Sequence, residues 1–185
     1  IIGFGVNTEP LSTGQFGEYP LQVFTTKGIS AMLQGSGGVL YAAVVPVSDE
    51  VPNNPDNIVS VSGGVVYTTV QQIVLLVGKD KVILSNDLFG KPNTDLQAVE
   101  NFRARIDNDL FVHLLDNLSI VDAKIYTNYS KFGYIKEFDE LLMTNAEFNY
   151  SYVYSFKSGT WHKIDKSYSL IVNAYPDTFA IRRNS

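Results

Sequence analysis

The chain has 185 residues, of which 45% are hydrophobic, so it is long and apolar enough for one sizeable core and unlike a disordered protein. Lys and Arg number 14 against 19 Asp and Glu, and the formal net charge of -5 has the wrong sign for tight binding to nucleic-acid phosphates. Cysteine is absent, which excludes disulfides and thiolate chemistry.

Short strands are predicted throughout residues 19 to 85. The apolar stretches there are rich in Val, Ile, Thr and Tyr, have the length of ordinary strands, and are interrupted too often for helices. They read "YPLQVFTT", "ISAMLQ", "VLYAAVVPV", "NIVSVS", "GVVYTTV", "QIVLLVG" and "KVILSN". The short connections predict antiparallel hairpins. The glycine pairs of "GFGVNTEP" and "GSGG" lack the pattern of a phosphate-binding loop and predict turns.

Residues 93 to 126 carry a helical pattern instead. Two short amphipathic helices are predicted, with Thr94 as the N-cap of the first. Their apolar stripes are Leu96, Val99, Phe102 and Ile106, then Leu110, Leu114 and Leu118. We expect a neighbouring surface to cover these stripes. His113 lies among them without a second ligand at a useful spacing, so it is interpreted as a structural histidine rather than a metal ligand.

Strands return in residues 127 to 185, where they are predicted at "FGYIKEF", "ELLMTN", "YSYVYSF", "TWHKID", "SLIVNA" and "TFAIRR". Alternation places Tyr150, Tyr152 and Tyr154 on one face of a strand and Val153 on the other. A "KSG" turn and a second strand with Trp161 follow, a rhythm typical of β-propeller blades. We therefore predict one blade from Phe138 to Arg182, and another in "NIVSVSGGVVYTTVQQIVLLVGKDKVILS". The tyrosines and the tryptophan are interpreted as core or inter-blade packing.

The predicted fold is thus mainly β: incomplete β-propeller-like blades of antiparallel strands in residues 1–92 and 127–185, with a short helical insertion at 93–126. The residues suffice for about three blades, whereas closed propellers need at least four. Because Ile1 is not an initiator and bare strand edges promote aggregation, we expect the chain to be one portion of a larger polypeptide, held in a cyclic homo-oligomer.

No catalytic, cofactor-binding or metal site is predicted. "SFKSGTW" approaches the Asp-box of sialidase-type propellers, but Lys157 stands in place of the aspartate. The acids of "KEFDEL" suit a solvated hairpin turn rather than a glycosidase carboxylate pair. Asp107 and Asp109 alternate as in a calcium loop, but the later ligands and the glycine of such a loop are missing. An enzyme is therefore not expected.

Three segments together resemble the propeller-bearing tail nozzle or muzzle proteins of short-tailed bacteriophages, including crAss-like phages. They are "GEYPLQVFTTKGISAML", "VPVSDEVPNNPDNIVSVSGGVVYTTVQQIVLLVG" and "FNYSYVYSFKSGTWHKI". The positions that carry the resemblance are Tyr19, Pro20, Leu21, Phe24, Gly28, Ile29, Asn54, Pro55, Ile58, Tyr150, Tyr152, Tyr154, Ser158 and Trp161.

The resemblance implies a structural virion protein of the phage tail that helps to form the conduit for DNA ejection. Its implied partners are other copies in a ring, the remainder of the same polypeptide, and adjacent tail or portal-adaptor proteins. DNA would pass without specific binding, which the net charge of -5 permits. The alternative is a carbohydrate- or host-receptor-binding β-module, since exposed Tyr and Trp rings can stack on sugars.

Overall fold

The computed structural model describes residues 1–6, 20–33, 43–70, 72–89, 126–174 and 177–182. The fold is mainly β, with three four-stranded antiparallel meanders and a two-stranded hairpin. The predicted helical insertion, with its apolar stripes and His113, lies outside the described residues except for its last position, Tyr126. That residue belongs to a helical turn that extends to Asn128.

Each sheet uses strands that are consecutive in the sequence. Blade 1 contains β1 Gly3–Val6, β2 Leu21–Thr25, β3 Gly28–Leu33 and β4 Ala43–Ser48. Blade 2 contains β5 Val59–Val61, β6 Gly64–Thr68, β7 Ile73–Val77 and β8 Asp80–Ile83. Blade 3 contains β9 Lys131–Ile135, β10 Glu140–Thr144, β11 Ser151–Ser155 and β12 Thr160–Ile164. The terminal hairpin contains β13 Tyr168–Ala174 and β14 Asp177–Arg182. A 3-10 helix at Pro55–Asn57 precedes blade 2, and the short helix α1, Asn86–Phe89, follows it.

The first strands of the four sheets lie side by side. Strand β1 contacts β5, β5 contacts β9, and β9 contacts β13. The Val6 amide donates to Ser60 Oγ at 2.9 Å, and Asn173 Nδ2 donates to the Phe132 carbonyl at 2.9 Å. The last strands of blades 2 and 3 are largely exposed. First strands inside and last strands at the periphery are the arrangement of propeller blades, here forming an arc that is not closed.

The inner strand β6 of blade 2 is buried on both faces, and its successive side chains point into two different parts of the core. Val65 and Tyr67 point toward blade 1, where the Tyr67 and Phe24 rings lie 5.4 Å apart between centroids. Val66, between them in sequence, points the other way and packs in a cluster that includes Phe132 of blade 3. A strand with every residue buried, as in β6, follows from this position between two neighbours.

Blade 3 repeats the division. Leu141 and Met143 join the cluster shared with blade 2, whereas Leu142 joins Val153 and Ile171 in the interface with the terminal hairpin. The three apolar clusters are therefore three successive interfaces between sheets, and neighbouring interfaces take alternate residues of the strand that lies between them.

Where residues 19–85 and 127–185 are described, the predicted strands are confirmed, but the prediction of a turn at "GFGV" is wrong. These residues form β1, which pairs with β2 in register. A Cβ atom on Gly5 would lie 2.5 Å from Val65 Cγ1, and one on Gly3 would lie 2.7 Å from Ile58 Cδ1. The glycines are required because blade 1 packs too closely on blade 2 for a side chain, not because the chain turns.

The predicted blade boundary at Phe138 is also wrong. Blade 3 begins at Lys131, whose strand pairs with β10, and ends at Ile164. The "SLIVNA" strand does not pair with the Trp161 strand but contacts β9, the first strand of blade 3, and starts a new sheet. The "FGYIKEF" strand that the prediction left out of the blade is its innermost strand.

A substitution at Gly133 tests how closely the terminal hairpin packs on blade 3. A Cβ atom there would lie 2.7 Å from Ile171 Cγ2 and 3.0 Å from Thr178 Cγ2. We expect Gly133→Val to lower the free energy of unfolding by about 1–3 kcal/mol through overpacking, measured by urea denaturation. Ile171→Ala removes the nearest methyl group, so the double variant should be less destabilised than the sum of the two single variants. Simple additivity would contradict this contact.

Candidate functional site

An aromatic row fills the interface between blades 2 and 3. Tyr150, Tyr152, Tyr154 and Phe156 all pack against the shared cluster, while Val153 faces the terminal hairpin. Neighbouring rings meet edge to face, with centroids 5.6 Å apart for Tyr150 and Tyr152 and 5.2 Å apart for Tyr154 and Phe156. Both the predicted alternation and the interpretation of these aromatics as inter-blade packing are confirmed.

Trp161 connects the outer strand of blade 3 to the end of blade 2. It pairs with Tyr154 in register, and the two rings lie 5.1 Å apart. The indole Nε1 donates to the Leu84 carbonyl at 2.7 Å. The half-buried indole thus contributes apolar contact on one blade and a directional hydrogen bond to the next. The turn before strand β12 ends at Gly159, whose φ of 69° lies in the left-handed region that favours glycine.

A buried polar group lies beside the aromatic row. The Tyr126 hydroxyl donates to the Tyr150 carbonyl and accepts from the Asn145 amide, each at 2.9 Å. Asn145 Nδ2 returns a hydrogen bond to the Tyr126 carbonyl, also at 2.9 Å. Burial raises the pKa of Tyr126 to about 12. These bonds hold the helical turn at 126–128 on the end of blade 3.

The "NPDN" turn joins the entry of blade 2 to blade 3. Asn54 Oδ1 accepts from the Asp56 amide at 3.0 Å, and its Nδ2 donates to the Ser130 carbonyl at 2.9 Å. Asn57 is fully buried, and its Nδ2 donates to Thr68 Oγ1 and to Ser130 Oγ, each at 3.2 Å. The asparagines therefore fix both the turn and the position of the neighbouring blade.

A charged link joins blade 1 to blade 2. The hydroxyl of Tyr67, a fully buried residue, donates to the Glu50 carboxylate, and Lys81 Nζ lies 3.1 Å from the other Glu50 oxygen. Burial, followed by the interaction with Glu50, raises the pKa of Tyr67 above its ordinary value. Tyr67 therefore stays protonated and acts as a hydrogen-bond donor between blades.

A cleft of about 530 Å³ lies where the first strands converge. Its walls are formed by Val6, Val59, Ser60, Val61, Ser62, Tyr134, Lys136, Asn173, Asp177 and Thr178. The Tyr134 hydroxyl contacts Ser62 Oγ at 2.6 Å and Asp139 Oδ1 at 2.7 Å, and Thr178 Oγ1 donates to the Tyr134 carbonyl at 2.6 Å. These polar groups bond one strand to the next, so the cleft wall is held by the same contacts that orient the blades.

Among the residues that the sequence offers for chemistry, Asp139 lies beside the cleft, where its carboxylate accepts a hydrogen bond from the Tyr134 hydroxyl. The others do not line the cleft or lie outside the described range. Lys157 and Glu137 occupy exposed turns, and His162 is exposed on β12. Asp107 and Asp109 lie outside the described residues. In the described ranges, no three His, Cys, Asp or Glu side chains are grouped so that they could hold a metal ion.

Comparisons with known protein families, curated proteins and solved structures found no match. Among the helices in the described part of the chain, none is long and apolar enough to cross a membrane. The function is therefore argued from the residues and their contacts, together with the resemblance of the three sequence segments.

The two roles of Trp161 can be separated by substitution. We expect Trp161→Ala to lower the free energy of unfolding by about 2–3 kcal/mol, less than for a fully buried tryptophan. Trp161→Phe should cost about 1 kcal/mol, because it keeps most of the packing but loses the hydrogen bond to Leu84. His162→Ala, at the exposed neighbouring position, is the control and should stay within about 0.5 kcal/mol of wild type. A cost below about 1 kcal/mol for Trp161→Ala would refute the packing role.

Tyr126 should make stability sensitive to alkaline pH. The unfolded tyrosine ionises near pH 10, whereas in the folded chain the pKa is about 12. The unfolded state therefore binds fewer protons between these values, and stability that is fully present below pH 10 falls as the pH rises toward 12. We expect Tyr126→Phe to be less stable at pH 8, because the Asn145 amide loses its acceptor, and to show a shallower alkaline decline. Urea denaturation from pH 8 to 11 measures both, and an unchanged slope would contradict the assignment.

Proposed function

We propose that this chain is a structural component of a bacteriophage tail, of the nozzle or muzzle kind, that helps to form the conduit for DNA ejection. The supporting observation is where the residues of the resemblance lie. Asn54 fixes the turn into blade 2 and contacts blade 3, Tyr154 packs in the aromatic row, and Trp161 bonds one blade to the next. Residues that join blades are what a scaffold protein needs, so the motif and its structural role agree.

The conduit itself would be formed by several copies rather than by the axis of one arc. A cleft of about 530 Å³ has the size of a small-molecule site. Double-stranded DNA is too wide for such a cleft, because its major groove alone is about 12 Å wide and admits a whole α-helix. Copies arranged in a ring would enclose the wider passage, and a net charge of -5 per chain would disfavour the phosphate contacts that retard DNA. The proposed location is the virion, beside other tail and portal-adaptor proteins.

The carbohydrate- or receptor-binding alternative is less well supported by the aromatic residues. Sugar stacking needs an open ring face, but the aromatic row packs between blades. Lys163 Nζ lies 3.5 Å from the centroid of the Tyr150 ring, a cation–π contact that occupies one face of that ring. The geometry therefore favours scaffold over lectin.

Immunoelectron microscopy of phage particles whose genome encodes the sequence tests the proposal. Antibodies raised against residues 1–185 should label the end of the tail, and antibodies against the capsid serve as the control. Virions without label, alongside binding of the purified chain to a defined sugar on a glycan array, would replace the scaffold proposal with the alternative. Virions without label and without glycan binding would refute both.

A further inference from the structure

The terminal hairpin carries an apolar face that points away from blade 3. Alternation turns Ile171 inward, and the opposite set of side chains outward. Leu170, Val172, Phe179 and Ile181 are 38%, 45%, 59% and 56% exposed. In register, Leu170 pairs with Ile181 and Val172 with Phe179, so the four side chains form one compact patch. We call this patch the hairpin face.

Blade 1 carries a matching face at the other end of the arc. Gly3 and Gly5 lie against blade 2, so the alternate residues of β1 point away from it. Phe4 and Val6 are 55% and 49% exposed, and Val44 on β4 is 63% exposed. These three residues define the blade 1 face.

We propose that the hairpin face of one copy packs against the blade 1 face of a second copy. Inside the chain, apolar faces of this kind meet at three successive interfaces, between blades 1 and 2, blades 2 and 3, and blade 3 and the hairpin. The two end faces are the same kind of surface, one at each end of the arc, and a contact between them continues the same series. This inference rests on the blade faces and not on a place in a phage tail.

Two copies suffice to close one circle of sheets around the propeller axis. Blade 1 and the hairpin border the same cleft, through Val6 and Thr178, so both ends of the arc approach one axis. The described part of each copy contains four sheets when the two-stranded hairpin is counted, and two copies bring eight, within the range of four to eight blades in closed propellers. A two-fold axis along the propeller axis makes the contact twice, which helps to reach the roughly 1,200 Å² that a stable interface buries.

Sedimentation velocity of the 185-residue chain at micromolar concentration tests the contact, and we expect a dimer. Phe179→Lys, in the hairpin face, and Phe4→Glu, in the blade 1 face, should each weaken dimerisation by about 30-fold or more, the effect of losing a central aromatic anchor. Both side chains are already exposed within one copy, so both variants should still fold, with a melting temperature lowered only by the loss of the dimer contact. If Phe179→Lys unfolds the chain, Ile181→Lys takes its place.

Mixing the two variants distinguishes this contact from other dimers. Phe179→Lys keeps an intact blade 1 face, and Phe4→Glu keeps an intact hairpin face, so an equimolar mixture should form a heterodimer with one native contact and one Lys–Glu contact. A dimer built by two hairpin faces would be broken by Phe179→Lys alone and not restored by mixing.

Phe138→Lys is the matched control, because Phe138 is similarly exposed, at 54%, but lies in the β9–β10 turn, away from both faces. It should dimerise as wild type does. A wild-type monomer, or a dimer that survives both face substitutions, would overturn the proposal.

Discussion

The burial of single strands on both faces is the constraint on which the rest of this structure depends. In β6 and β10, adjacent residues such as Val65 and Val66, or Leu141 and Leu142, belong to different apolar clusters. No single four-stranded sheet can bury both of its faces by itself, so a blade becomes stable only between neighbours. At about 25 cal/mol per Å² of buried apolar surface, inter-blade contact is the dominant favourable term for such a fold.

Apolar contact alone does not orient one sheet relative to the next, because it is not directional. Hydrogen bonds between polar groups at the interfaces fix the orientation of one sheet relative to the next. Asn57 reaches from the entry of blade 2 to Ser130 before blade 3, and Tyr134 reaches back to Ser62. The interface of blade 1 with blade 2 is less well satisfied, since the fully buried Gln22 finds no hydrogen-bond partner for its amide. An unpaired buried amide costs about 1–3 kcal/mol. Among the described residues, Asn57 Oδ1, between blades 2 and 3, also has no hydrogen-bond partner.

Strand periodicity was sufficient to predict most of the β-structure. Val, Ile and Tyr runs with short connections located thirteen of the strands, and alternation in β11 placed the tyrosines and Val153 on opposite faces. The first strand cannot be predicted from periodicity because Gly3 and Gly5 have no side chain to show a pattern. Glycine is needed at these two positions because Ile58 and Val65, distant in sequence, pack against them. The boundary of blade 3 was misplaced for a related reason. Local periodicity identifies strands, but only contacts between β9 and β13 show where one sheet ends and the next begins.

The same limit applies to function. The aromatic residues around the Ser-Gly turn could be assigned to packing from their alternation, yet the partners of Trp161 could not, since its hydrogen bond crosses to Leu84, 77 positions away. The cleft at the convergence of the first strands is assembled from five strands, β1, β5, β9, β13 and β14, or residues next to them, and no single motif predicts it. In a fold made of repeated sheets, each sheet acts through its faces: the inner faces hold the chain together, and the exposed faces at the ends of the arc are those that we propose for assembly.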